Sequence, residues 1–175
     1  MKLKIDDFLL DKEALQNTPQ RWRAFQAEQM EKRNYDKFTT FKNNGYDGMV
    51  IQRVEFHSSC MHHILPFYGV AYIGYIANKK SLIGLSKLAR IVDKFASKPT
   101  TQETINLEIV KFINKILHPQ GVMVVIKARH MCMEMRGVHK SNSWTVTSQI
   151  SGLFQTQSHT KSEFFELIKL KFLEV

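Results

Sequence analysis

From Met49 to Phe56 the residues MVIQRVEF alternate apolar and polar, the period of a strand with one buried face. PFYGVAYIGYIAN, from Pro66, reads as a second strand, and NKKS after it as a turn. The period then changes. In LIGLSKLARIVDKFASK, Leu85, Leu88, Val92 and Phe95 recur at helical spacing, and Pro99 ends the helix. Thr100 and Glu103 are spaced as a capping box for the next helix. That helix carries Ile105, Ile109, Phe112, Ile113 and Ile116 on its apolar side and stops at Pro119 and Gly121. GVMVVIKARHMCMEM predicts a long strand, paired as a hairpin with WTVTSQISGLF. A last helix is expected from near Thr160, where Thr160 and Glu163 repeat the capping-box spacing, to the C-terminus. Residues 12–33 predict a first helix, with TPQRW near its start or at a break. The order is helix, two strands, two helices, two strands, helix. Strands in hairpins with helices clustered between them predict an α+β fold on an antiparallel sheet.

At 175 residues the chain has the length of one domain with a helical extension. We expect an N-terminal helical extension over 1–36 and a catalytic domain over 37–175. No window resembles a membrane span, and the N-terminus lacks the basic and uninterrupted apolar regions of a signal peptide. A soluble cytoplasmic protein is the simplest reading, without membrane contact. Two cysteines far apart do not make a secreted disulfide framework. The formal net charge of +9 fits either a phosphate-bearing partner or a solvated lysine-rich surface. Basic and aromatic residues are not interleaved and no helix-turn-helix pattern is present, so nucleic acid is not the expected partner.

Chemistry concentrates in SSCMHHILPF, Ser58 to Phe67. Cys60 and His63 form a C-x-x-H pair that can clasp zinc at a turn. The other cysteine lies in ARHMCMEMRG. On a strand, Val124, Ile126, Ala128, His130 and Cys132 would share one face, with its polar end at His130 and Cys132. Cys60, His63 and Cys132 supply three ligands, the count for a catalytic metal with one open position. His62 and His130 are then spare imidazoles suited to acid–base work near neutral pH. Two unrelated clusters, with the cysteines as small buried hydrophobes, are the alternative. Lys87, Arg90 and Lys94 fall on one helical face, preceded by Ser86, and Arg136 follows the second cysteine. They read as a solvated basic face or as a polyphosphate pocket. Glu103 reads as a cap or as a carboxylate for a guanine edge.

Together SSCMHHILPF, IGLSKLARIVDKFA, the TQE triplet, PQGVMVVIKARHMCMEMRGV and TVTSQISGLF resemble GTP cyclohydrolase I, nearly collinearly from about Phe38 to Leu167. TPQRW also looks like that family's TP-x-R segment. The resemblance implies hydrolysis of GTP to formate and 7,8-dihydroneopterin triphosphate. It implies zinc at Cys60, His63 and Cys132, and proton transfer by His62 and His130. Gln102 and Glu103 match the guanine contacts. Ser86, Lys87, Arg90 and Arg136 match the ribose and triphosphate contacts, and Arg21 a basic residue brought in at a subunit boundary. The implied fold is the tunnelling fold: a four-stranded antiparallel sheet with two helices between its strand pairs. Rings of five subunits close into a barrel and stack as a homodecamer, with active sites between subunits.

The chain departs from the family pattern at Met61, where glutamate is usual, and at Ala24, where a basic residue is common. The ligand positions are intact. Two other readings are a non-catalytic zinc-stabilised nucleotide-binding relative and an enzyme of the same fold acting on a related purine or pterin.

Overall fold

A computed structural model describes residues 12–172. Parts of the predicted extension before residue 12 and of the last helix beyond residue 172 lie outside the described residues. In chain order the elements are α1 (Lys12–Asn34), β1 (Thr40–Lys42), β2 (Met49–Cys60), β3 (Pro66–Ile76), β4 (Ser81–Ile83), α2 (Leu85–Ala96) and β5 (Pro99–Thr100). Then come α3 (Gln102–Leu117), β6 (Gly121–His130), α4 (Met131–Glu134), β7 (Trp144–Gly152), α5 (Leu153–Thr156) and α6 (Ser158–Phe172). The predicted order of major elements is preserved. Among the described residues no helix is long and apolar enough to cross a membrane.

The main sheet has the order β5-β2-β3-β6-β7. β2, β3, β6 and β7 are the four expected antiparallel strands. The fifth is only Pro99–Thr100, parallel to β2 through Ser59↔Pro99 and Cys60↔Thr100. The register fixes two ends. Ser59 pairs with Pro66 at one end of the β2–β3 ribbon, and Met49 pairs with Ile76 at the other.

β6 is apolar on both faces because both are covered. Val122, Val124, Ile126 and Ala128 join a core formed with Leu88, Ile91 and Val92 of α2 and Ile105, Ile109 and Ile113 of α3. Met123 and Val125 point the other way, toward Phe154 and Phe164. A Cβ on Gly74 would stand 2.6 Å from the Phe164 ring, so the glycine lets α6 lie against β3.

Four boundaries differ from expectation. α3 starts one residue late: Thr101 is its N-cap, with its side chain accepting from the Thr104 N–H at 3.2 Å. Thr100 is held in the ladder opposite Cys60, so it cannot cap, and Glu103 is free of the predicted capping box. β6 ends at His130 instead of continuing through Cys132. Its partner β3 begins at Pro66, which has no N–H to extend the ladder, and α4 takes over. α6 starts at Ser158, so Thr160 lies within its first turn, buried, rather than ahead of it. The predicted strand through Phe154 stops at Gly152, whose φ of 62° turns the chain into α5.

Candidate metal centre and active site

Cys60 ends β2, 7% exposed. Its N–H donates to Leu65 O at 2.8 Å, and its carbonyl accepts from Ile64 N–H at 2.7 Å. Met61 N–H donates to Thr100 O at 3.1 Å, tying the turn to β5. These bonds close a tight turn that presents His62 and His63 outward. Ile64 within it has φ 58°, a left-handed conformation that a β-branched residue adopts only under constraint.

Cys132 reaches the same place from α4. After His130 the chain winds into one helical turn, closed by Met135 N–H donating to Met131 O at 2.8 Å. Arg129 clamps this turn from the strand side. Its Nε and Nη2 donate to the two Glu134 oxygens at 2.8 and 2.5 Å. The guanidinium beside Glu134 holds that carboxyl below the usual range. The cysteine therefore arrives by a helical turn, not by the strand alternation its sequence predicts.

The ligand atoms of Cys60, His63 and Cys132 all lie within 4.8 Å of one another. Both cysteines are free thiols. Burial, and then the neighbouring Cys60, push the Cys132 thiol above its ordinary value. Two sulfurs this close favour a cation between them, which would reverse that balance and draw off their protons. Two sulfurs and one imidazole make a donor set suited to zinc. The residues therefore fit a metal, with three protein ligands.

The non-ligand histidines differ. His62 is exposed, with Nδ1 3.5 Å from Cys60 Sγ. His130 is half-buried, its ring stacked on Phe67 at 4.7 Å and 5° between planes. Burial pulls its pKa below the usual histidine range, and Glu103 opposes the shift. His130 Nε2 lies 2.8 Å from Gln102 Oε1. Gln102 is only 1% exposed and bonded within the chain, whereas Glu103 beside it is exposed.

The basic residues divide. Arg136 donates from Nη1 to His63 Nε2 at 2.8 Å, at the metal group itself. Ser86 and Lys87 stand elsewhere. α2 runs back along the sheet and delivers Pro99 beside Ser59, so its first turn lies one helix length, about 17 Å, from that end. There Lys87 Nζ donates to Tyr35 Oη at 2.7 Å, and the Arg90 guanidinium sits 4.6 Å from the Tyr35 ring centre. Lys94 Nζ donates to Arg33 O and Tyr35 O, holding the end of α1. Arg21 is exposed on α1 and paired with Glu13 at 2.6 Å. One chain thus gathers Cys60, His62, His63, Gln102, Glu103, His130, Cys132 and Arg136 at one end of the sheet, and leaves Ser86 and Lys87 away from them. Sequence reasoning missed Tyr35, Phe67 and the Arg129–Glu134 clamp. Phe67 lies opposite His130 in the β3–β6 pairing, a register between strands far apart in the chain that no local sequence signal reveals.

The GTP cyclohydrolase I family profile matches residues 3–169. The GTP cyclohydrolase 1 of Aquifex aeolicus (strain VF5) is 44% identical over 160 residues, covering 91% of this chain and 86% of that protein. That of Leptospira biflexa serovar Patoc is 49% identical over 129 residues, covering 74% and 70%. Among solved structures, an archaeosine synthase QueF-Like in the apo form aligns with a TM-score of 0.50 at 13% identity, over 60% of this chain and 94% of that one. At that identity the likeness shows the shared tunnelling fold alone. With the profile spanning residues 3–169 and the Aquifex relative covering 91% of the chain, the protein belongs to the GTP cyclohydrolase I family.

Proposed function

We propose that the chain hydrolyses GTP to formate and 7,8-dihydroneopterin triphosphate, with zinc held by Cys60, His63 and Cys132. The observation that carries this reading is the convergence of those three ligand atoms beside His62 and His130, two imidazoles the metal does not need. A module that only bound a nucleotide would have no use for them. When bound, zinc acidifies a water to supply a nucleophile near neutral pH. His62 and His130 move the protons that opening of the imidazole ring and release of formate require. Glu103, exposed at the start of α3, accepts N–H groups of the guanine edge, with Gln102 behind it. Arg136 meets the triphosphate, whose binding energy holds the base in place rather than entering the chemistry.

The remaining contacts come from other copies of the chain. Ser86, Lys87 and Arg90 serve a neighbouring subunit's site, and Arg21 acts at a subunit boundary. Residues 1–36 form an extension beside the catalytic domain of 37–175. Two features support assembly into pentameric rings and a homodecamer. β7 is an edge strand bearing exposed Trp144 and Val146, and α1 carries exposed Trp22, Phe25 and Met30. We place the enzyme in the cytoplasm, in pterin and folate biosynthesis.

The test is metal analysis with formate and pterin measurement on GTP, for the wild-type protein and His130→Ala. The variant is expected to keep its metal and lose turnover. Metal loss in His130→Ala, or a zinc-loaded wild type that releases no formate, would overturn the reading.

A further inference from the structure

Gln102 is the first residue of α3 and is almost fully buried between β6 and β7. Its Nε2 lies 3.0 Å from Ile126 O, 3.2 Å from Thr145 O and 2.9 Å from Thr147 Oγ1. The first two are backbone carbonyls, which only accept. Turning the amide over would set its oxygen against both carbonyl oxygens, replacing two favourable contacts with lone-pair repulsion. The amide orientation is therefore determined by chemistry, and Oε1 must face His130 Nε2 across 2.8 Å. An amide oxygen accepts, so His130 Nε2 donates. A neutral imidazole carries one N–H, so its lone pair is on Nδ1. Nδ1 has no hydrogen-bond partner among the described residues. The Phe67 ring, stacked 4.7 Å away with its plane within 5° of the imidazole's, holds the imidazole in the plane that carries the hydrogen bond to Gln102.

We infer that Gln102 is a positioning residue that fixes His130 in the Nε2–H tautomer, making Nδ1 the nitrogen that exchanges protons with the substrate. The function is to select one nitrogen of one ring. The Nε2–H···Oε1 bond leaves Nδ1 as the nitrogen whose lone pair is not used among the described residues. The selection is built from residues distant in the chain: the amide starts α3, the ring ends β6, and the acceptors that orient the amide are Ile126 on β6 with Thr145 and Thr147 on β7. This inference rests on the proposed proton-transfer role of His130, and it adds which atom acts and what dictates it.

The direct test is nitrogen NMR of the zinc-loaded protein labelled at histidine nitrogens. The neutral His130 ring should show the pattern of a protonated Nε2 and a bare Nδ1. In Gln102→Leu the two tautomers should mix, and kcat should fall by about 10²-fold with KM and metal content little changed, as for loss of a correctly poised acid–base group. Thr147→Val keeps the carbonyl acceptors, so it should keep the wild-type tautomer. A wild-type His130 carrying its proton on Nδ1 would overturn the inference, and that measurement stands even if Gln102→Leu does not fold. An unchanged tautomer in a folded Gln102→Leu would overturn it too. Failure of the wild type to hydrolyse GTP would strike the proposed reaction and leave the tautomer assignment intact. The two failures are therefore distinct.

Discussion

Arg136 donates a hydrogen bond from Nη1 to Nε2 of His63 across 2.8 Å. A guanidinium cannot accept, so this bond occupies the only lone pair of a neutral His63 ring. A metal ion taken up by His63 must therefore displace the guanidinium, and a nearby positive charge opposes its arrival. Arg136→Ala is expected to bind zinc several-fold more tightly in competition with a chelator, and to bind GTP more weakly. Zinc affinity that falls in the variant would contradict the competition.

The Arg129–Glu134 fork joins the end of β6 to the turn that carries Cys132. Glu134→Ala leaves the guanidinium without its partner and frees that turn. A lower melting temperature and faster zinc loss to a chelator are expected together. A stable variant with unchanged zinc retention would show that the backbone turn alone fixes Cys132.

Ile64 is held in the left-handed region at φ 58° with its side chain largely exposed. Asparagine tolerates that conformation far better. Ile64→Asn should therefore stabilise the protein, by about 1 kcal/mol in denaturant unfolding. A destabilised variant would mean that the isoleucine side chain makes contacts that outweigh the strain.

Asp93 on α2 is half-buried, and burial raises its pKa against the opposing pull of Lys32 from α1 and Arg90 from its own helix. Glu31 lies at the same pocket. With its folded pKa raised, Asp93 contributes stability that is fully present below its unfolded pKa. That contribution is lost as pH rises through the folded value. Asp93→Asn should remove this part of the pH dependence, so its stability relative to wild type should be greater at pH 7 than at pH 4. Parallel unfolding curves at both pH values would refute the assignment.

The sequence made the principal strands and helices legible because β2 shows a two-residue period and α2 a helical one. It also pointed to Cys60, His63 and Cys132, since cysteine and histidine at the ends of apolar strands have few structural uses. The path by which Cys132 arrives was not legible. Strand alternation put it beside His130, whereas Pro66 on the partner strand ends the ladder and a helical turn delivers the sulfur. Nor could the sequence show that Gln102 is buried behind His130. Two of the partners that orient its amide are 43 and 45 residues further along, on a strand whose register emerges only in the folded sheet. Short-range spacing reveals residue types at a site, and long-range pairing decides which atoms of them are available.

The separation of the thiolate end of the sheet from the Ser86–Lys87 turn has a genetic consequence. Under the proposed assembly, a chain disabled at Cys132 and a chain disabled at Lys87 carry complementary defects. Neither works in a homogeneous population. Co-expressed, they would build composite sites at which one contributes its intact cysteines and the other its intact lysine, so part of the lost activity would return in the mixture. Dilution that dissociates the subunits would extinguish turnover long before any single polypeptide unfolded.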